Sequence, residues 1–441
     1  MGCRRVARLL QWAGLVSAIA GAPLRVAYLH QGLPVGGIES SLVNICRNVD
    51  RERVEPILVL FGRDPIETLL EDVLQAGCDV VRFAARWRNP DWSISLDERE
   101  VARLTSYLRE SDVDVAFMFY GGAEIGEPTP LGVLAARDAG VPVVMRIEWV
   151  ASAPPNLGIA AVEVSTPFVG RIQVQRGVRY PLHFVGGAVE APSVIAKRED
   201  RSARTLVVGR LSRLILEKDP ISFVLAAGVV RDALTLGEDA PYDEVRFVLG
   251  GDGPLAETLV SMAREHGLED VVEFVGTVER GDLWEFLGTL DMFLYTSTCD
   301  SLGYVVLEAM AAGLPVVATR VCSMEDLIDD GVTGVLVDPV RNETTREVMV
   351  GSEAAERHGA AAVGLALRGR EAMVAMGSAA RGVVSASWSV EVFYDRHAGL
   401  LESVAVGRRA SSSGAAPSRP FDATKRGSRR RVPDGLTRAT D

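Results

Sequence analysis

Short apolar runs and amphipathic stretches take turns along almost the whole chain, and this alternation limits the fold more than any other feature. Residues 24–30, 55–61, 79–83, 113–120 and 141–147 read as buried strands, with helical patterns at 41–48, 66–76, 96–109 and 131–139 between them. Residues 158–176 add a further strand and helix. A second series opens with a strand at 205–212 and continues through apolar runs at 245–249, 271–278, 292–295 and 314–318. Helical patterns at 221–233, 255–266, 282–290 and 304–312 separate them. Strands that alternate with helices build a parallel sheet covered on both faces. At 441 residues the chain exceeds one ordinary core, so two doubly wound domains are expected.

In such sheets ligands gather at the carboxyl ends of strands, against helix N-termini. The segment DSLGYVVLEAMAAGLPVVAT, residues 300–319, has that grammar: turn, helix, a stop at Gly313, then a strand. Asp300 lies in the turn and Glu308 in the helix. The free backbone N–H groups from Leu302 to Tyr304 open toward the same space. A helix N-terminus suits phosphate, and neighbouring carboxylates suit hydroxyls, so the pair fits a ligand that is part phosphate and part sugar. The bland alternative is a capped helix with a solvated glutamate.

Three further loops lie at strand ends. The first, QGLPVGGIES at 31–40, places Gly36, Gly37 and Glu39 before a helix; no GxGxxG is present, so a dinucleotide fingerprint is excluded. The second, GRLSRLILEKDP at 209–220, brings Gly209, Arg210 and Lys218 to a strand end and a helix start, a placement that suits a diphosphate leaving group. The third, GGDGP at 250–254, contains Gly253. Arg86 and Trp87 belong to a loop with two Trp and two Arg that either stacks on an acceptor or packs as surface. Asp112 and Asp114 look like a metal-binding DxD but precede their strand, and read as a helix-to-strand turn.

From residue 24 to about 404 the chain resembles the retaining glycosyltransferases of family 4, which have the GT-B fold. The resemblance is carried by Glu308 with AMAAGLPVVA at 309–318, by Gly209, Arg210, Leu211, Glu217 and Lys218, and by the Gly-Gly-x-Glu at 36–39. The chain departs from the pattern at Asp300, where the family has Glu, and at residues 214–216, which look inserted. The resemblance implies an α/β GT-B protein: two Rossmann-like domains facing across a cleft, with a C-terminal helix crossing back. The domains are expected at 24–187 for the acceptor and 205–385 for the donor, with a hinge at 188–204 and the crossing helix at 386–406. It further implies that Arg210 and Lys218 hold the diphosphate and that Glu308 holds the ribose hydroxyls. Asp300 and the backbone of 301–303 would lie near the sugar and phosphate, Gly36, Gly37, Gly209 and Gly253 near the donor, and Thr277 and Val278 near the base. Glu39, Arg86, Trp87, Arg146 and Glu148 are the expected acceptor residues; Glu148 stands where the family often has His. A nucleotide sugar and a hydroxyl acceptor are the implied substrates, with no metal or other cofactor. A non-catalytic nucleotide-sugar binding protein and a nucleotide-sugar epimerase are the alternatives.

Composition restricts this further. A net charge of −12 argues against a general nucleic-acid binder. Five cysteines without a CxxC or Cys/His cluster suggest reduced thiols with neither zinc nor a disulfide framework. Residues 1–23 place Arg4, Arg5 and Arg8 before an apolar run shaped like a signal peptide; a start-site extension or membrane-surface segment is the preferred reading, since nucleotide sugars are cytosolic. The tail at 407–441 holds nine Lys or Arg against three Asp and is expected to be disordered. A cytoplasmic protein is expected, with the basic terminal segments as points of peripheral membrane contact.

Overall fold

The computed structural model describes residues 22–30, 37–61, 70–83, 86–87, 94–95, 98–120, 129–147, 158–195, 204–236 and 240–412. In the first half the elements run β1 (Leu24–His30), α1 (Gly37–Asn48), β2 (Val54–Phe61), α2 (Leu70–Gln75), β3 (Asp79–Phe83), β4 (Arg86–Trp87), β5 (Ile94–Ser95), α3 (Glu98–Glu110), β6 (Val115–Tyr120), α4 (Thr129–Asp138), β7 (Val143–Ile147), β8 (Ala161–Val164), α5 (Pro167–Gln175) and β9 (Leu182–Phe184). The second half runs β10 (Thr205–Leu211), α6 (Pro220–Thr235), β11 (Glu244–Gly250), α7 (Ala256–Glu265), β12 (Val272–Gly276), α8 (Leu283–Gly288), β13 (Met292–Tyr295), α9 (Tyr304–Ala311), β14 (Val316–Thr319), α10 (Met324–Leu327), β15 (Gly334–Val337), α11 (Ser352–Ala366), α12 (Arg370–Ser387) and α13 (Val390–Ser412).

Two large sheets result, both wholly parallel, in the orders β3-β2-β1-β6-β7-β8-β9 and β12-β11-β10-β13-β14-β15. The second is the doubly wound dinucleotide-fold order, with its topological switch between β10 and β13. Each sheet buries both faces. Strand residues such as Val208, Phe247 and Leu294 meet one helical layer, while Val207, Phe293 and Tyr295 meet the other. This is why the strands read as continuous apolar runs. The first sheet is covered on one face by Phe393, Tyr394, Ala398 and Leu401 of α13, so the last helix does return to the first domain. Trp388, 3% exposed, fixes the crossing: its carbonyl accepts from Val189 N at 2.9 Å and its ring packs edge-on to Phe184.

Several expectations change. Residues 343–357 read as a helix from their sequence pattern, but the helix begins at Ser352 and runs to Ala366. The segment before it is held open because Asn342 Oδ1 accepts from Thr344 N and Thr345 N, each at 2.9 Å, and Arg346 adopts φ +61°. Asn offers the backbone a turn in place of a helix. The last helix continues through residue 412, past the expected start of the tail, since Gly407 alone does not stop it. The loop at 84–95 contains a two-residue antiparallel pair, Arg86–Trp87 with Ile94–Ser95. Asp112 sits at φ +48° in a helix-to-strand turn, and Asp114 accepts from Arg25 N at 3.1 Å, as expected of a structural turn.

The cysteine reading is corrected as well. Cys299 and Cys322 form a disulfide, with Cα atoms 5.5 Å apart. They leave the ends of the neighbouring strands β13 and β14, a proximity that spacing in sequence does not reveal. Cys46 and Cys78 are free and buried, with sulfurs 2.7 Å apart. Cys3 lies outside the described residues, as do the apolar run from Leu9 up to but not including its last residue, Ala22, and the tail beyond 412.

Candidate functional site

The carboxyl ends of β10 and β13 bring three of the expected residues, Arg210, Lys218 and Asp300, together. Past β10 the chain makes a 3-10 turn at Leu216–Lys218 and then enters α6 through Asp219, at φ +45°. Asp219 Oδ1 accepts from Ser222 N at 2.9 Å and caps the helix, while Pro220 supplies its first residue. This turn puts Lys218 Nζ 2.8 Å from Asp300 Oδ2. Burial alone would push the Asp300 carboxyl up, but Lys218 and its other donors hold it below the usual carboxylate range. The two loops are further tied by Thr298, whose N–H and hydroxyl both donate to Glu217 O, at 2.9 and 3.0 Å.

Arg210 is fully buried. Its guanidinium donates to Thr296 Oγ1, to Lys218 O and, at 3.2 Å, to Ser212 Oγ. It lies over the Tyr295 ring, 5.6 Å from the centroid. Burial lowers its pKa to about 10, which leaves it charged at neutral pH. Arg210 is thus a buried positive charge beside Lys218, with its donors turned into the protein in place of the direct diphosphate contact that the resemblance implies.

Glu308, 7% exposed, sits on α9 with Oε1 3.0 Å from Arg280 NH1, and burial raises its carboxyl pKa. Arg280 was not among the expected residues. It lies in the loop after β12, and only the fold brings that loop over α9. Thr277 is exposed and Val278 half-buried on the same loop. Gly303 begins α9 at φ +71°. The N–H groups of Leu302 and Gly303 are not open as expected: both donate to Asp300 Oδ1, at 3.4 and 3.1 Å. Ser301 is buried, and its carbonyl accepts from Thr166 Oγ1 at 3.1 Å, so this turn also meets the first domain.

Two glycines have other reasons to be there. A Cβ on Gly209 would come within 2.2 Å of Leu290, so it serves packing under the sheet. One on Gly253 would meet the backbone of Leu214 at 2.7 Å. Leu214 belongs to the apparent insertion, and it is buried where its N–H donates to Asp252 O and its carbonyl accepts from Leu255 N. The added residues seal the GGDGP loop.

On the first domain, Arg146 is corrected. It is 1% exposed, ion-paired to Glu163 and bonded to Gly186 O at 2.8 Å, so it supports the α13 junction and cannot reach a cleft. Gly37 begins α1; the side chains of Glu39, Arg86 and Trp87, and all of Gly36 and Glu148, lie outside the described residues. Among the described residues no group of three His, Cys, Asp or Glu could hold a metal ion, and no helix is long and apolar enough to cross a membrane.

Comparison with known proteins gives the class first. The architecture is GT-B: the Anabaena HepE structure in complex with UDP superposes with a TM-score of 0.63 over 86% of this chain and 100% of that one, at 21% identity. Residues 195–349 match the family model "Glycosyl transferases group 1". The D-inositol 3-phosphate glycosyltransferase of Paenarthrobacter aurescens is 35% identical over 151 residues, 32% of this chain and 35% of that one. The N-acetyl-alpha-D-glucosaminyl L-malate synthase of Bacillus anthracis is 36% identical over 95 residues, 22% of this chain and 24% of that one. The chain thus matches about a quarter to a third of the length of these curated relatives.

Proposed function

We propose that this protein is a retaining glycosyltransferase of family 4 that moves a sugar from a nucleotide diphosphate to a hydroxyl acceptor. The observation that carries the reading is that Lys218 meets Asp300 beside the buried Arg210 at the carboxyl ends of β10 and β13, with Glu308 on the helix that follows Asp300. Lys218 and the buried charge of Arg210 would stabilise the leaving diphosphate as negative charge grows on it. Glu308 would take the ribose hydroxyls and Asp300 a hydroxyl of the sugar. Asp300 is already held by Lys218 and by backbone donors, which disfavours a role as free nucleophile. That supports transfer on one face of the sugar, with the departing phosphate accepting the acceptor's proton. The UDP in the HepE complex makes a uridine nucleotide the first donor to try. Cytosolic nucleotide sugars argue for a cytoplasmic site of action.

Because Lys218, backed by the buried charge of Arg210, would already serve the diphosphate, metal is not required by this scheme. The test is transfer or slow hydrolysis of UDP-, GDP- and ADP-sugars, with and without EDTA. Turnover that survives chelation is expected, with the anomeric configuration kept in the product. Lys218→Ala should lower kcat roughly 10²–10³-fold, as for loss of one preorganised charge. Donor binding without transfer to any acceptor would mean a binding protein; activity lost to EDTA and restored by Mg²⁺ or Mn²⁺ would overturn the metal-free scheme.

A further inference from the structure

Lys218 stands between two anions in the proposed reaction. In this structure its ammonium lies against Asp300, and a diphosphate would compete for it. Asp300's side chain is only 20% exposed, so it cannot simply turn to water when Lys218 moves away. A carboxylate in such a place is stable only if other donors remain. Two backbone N–H groups serve Oδ1, from Gly303 and, at longer range, Leu302. Oδ2, the oxygen that Lys218 holds, has one other partner among the described contacts: the Tyr295 hydroxyl.

Tyr295 is placed for this by β13, which ends five residues before Asp300. Its ring is 1% exposed, packed among the core residues Phe293 and Val316 on one face of the sheet and below the Arg210 guanidinium. Burial pushes the phenol pKa well above its ordinary value, so the hydroxyl keeps its proton and can only donate to a carboxylate. The contacts close into a circuit: Arg210 over Tyr295, Tyr295 to Asp300, Asp300 to Lys218, and the Lys218 carbonyl back to Arg210. Around it, Ser323 holds the Asp300 carbonyl at 3.0 Å, and Glu217 lies 3.5 Å from Lys218.

We propose that Tyr295 is a positioning residue for Asp300, whose hydroxyl holds the carboxylate in place and ionised so that Lys218 is free to move to the diphosphate. The inference rests on the function proposed above. It also explains how an aspartate serves where the family pattern that the sequence resembles has the longer glutamate: a neighbouring phenol fixes the short side chain.

The test is Tyr295→Phe in the full chain, which removes the hydroxyl and keeps the ring under Arg210. The carboxyl of Asp300 is followed by carbon NMR on aspartate-labelled protein, assigned with Asp300→Asn, with and without UDP. Loss of a hydrogen bond to a charged group should raise its pKa by about 1 unit. The rise should be larger with UDP, when Lys218 is engaged elsewhere. In turnover, kcat should fall about 10-fold and its acid limb should move to higher pH, and at neutral pH UDP should bind the variant more weakly, by the factor that corresponds to the extra rise in the Asp300 pKa with UDP bound. Should the phenylalanine variant fold poorly, a double-mutant cycle with Asp300→Asn on the folded fraction decides, since the two losses in kcat should be non-additive. An unchanged Asp300 titration in the folded variant, or additive losses, would overturn the proposal. Wild-type protein that transfers no sugar would instead overturn the transferase reading, and the titration would still decide whether Tyr295 governs Asp300.

Discussion

Asp219 shows how much one residue does at a strand–helix corner. It takes a left-handed conformation, caps α6 through Ser222 N, and lends its carbonyl to Thr296 Oγ1 at 2.5 Å. Its carboxyl is 2% exposed, and burial raises its pKa to about 6. A carboxyl whose pKa is raised on folding binds its proton more tightly in the native state. Its contribution to stability is therefore complete below the unfolded value, near 4, and is lost as pH rises through about 6. Asn tolerates the left-handed region and can still accept from Ser222 N. Asp219→Asn should accordingly gain stability over wild type as pH rises from 4 to 7, by roughly 2–3 kcal/mol in total. Urea midpoints at the two pH values measure it; a difference that does not change with pH would refute the assignment.

At the scale of elements, the site depends on two loops that leave β13 and β14 side by side. The disulfide joins Cys299, next to Asp300, to Cys322, next to Ser323, whose N–H and hydroxyl both donate to the Asp300 carbonyl. The bond closes a loop with a sequence separation of 23, worth about 3 kcal/mol in the chain-entropy account. Oxidised wild type should be more stable than the Cys299→Ser, Cys322→Ser double variant by about that amount. Under dithiothreitol the two should converge. Denaturant melts with and without reductant, and mass mapping of the linked peptides, check both statements. If reductant lowers the two proteins equally, this bond contributes nothing.

The whole molecule is closed by α13, which crosses from the second domain onto the first sheet. Its anchor is a buried network. Glu163 pairs with Arg146 and, at 2.8 Å, with His397 Nδ1, while His397 Nε2 meets the Tyr28 hydroxyl at 2.9 Å. Burial would raise the Glu163 carboxyl, but His397 and Arg146 hold it below the usual value. At the surface, Arg53 clamps Glu402 and Asp395. Removing one partner of a buried pair strands the other, so Glu163→Leu should cost about 3–5 kcal/mol, while Arg146→Met with Glu163→Leu should cost less than the single change. Hydrogen exchange along 393–402 should rise in the single variant. Equal costs for single and double variants would mean that the pair does not act as a unit.

The alternation of strands and helices, the two domains and the loops at strand ends that carry the candidate residues were legible in the sequence because they depend on local signals: apolar period, turn residues, helix stops. The 309–318 segment and the Arg210 and Lys218 positions were legible for the same reason. The contacts of those side chains are decided by what lies across from them. Lys218 and Asp300 are 82 residues apart in the chain, and Glu163 and His397 are 234 apart. Arg210 reads identically in sequence whether it reaches out or turns inward; burial beside Thr296 and Tyr295 turned it inward. Arg146 reads as a cleft residue until Glu163 and α13 enclose it. Cys299 and Cys322 become partners only because β13 and β14 are neighbours in the sheet. Periodicity is a property of the chain, but burial and charge pairing are properties of the space between segments, and only tertiary packing determines those.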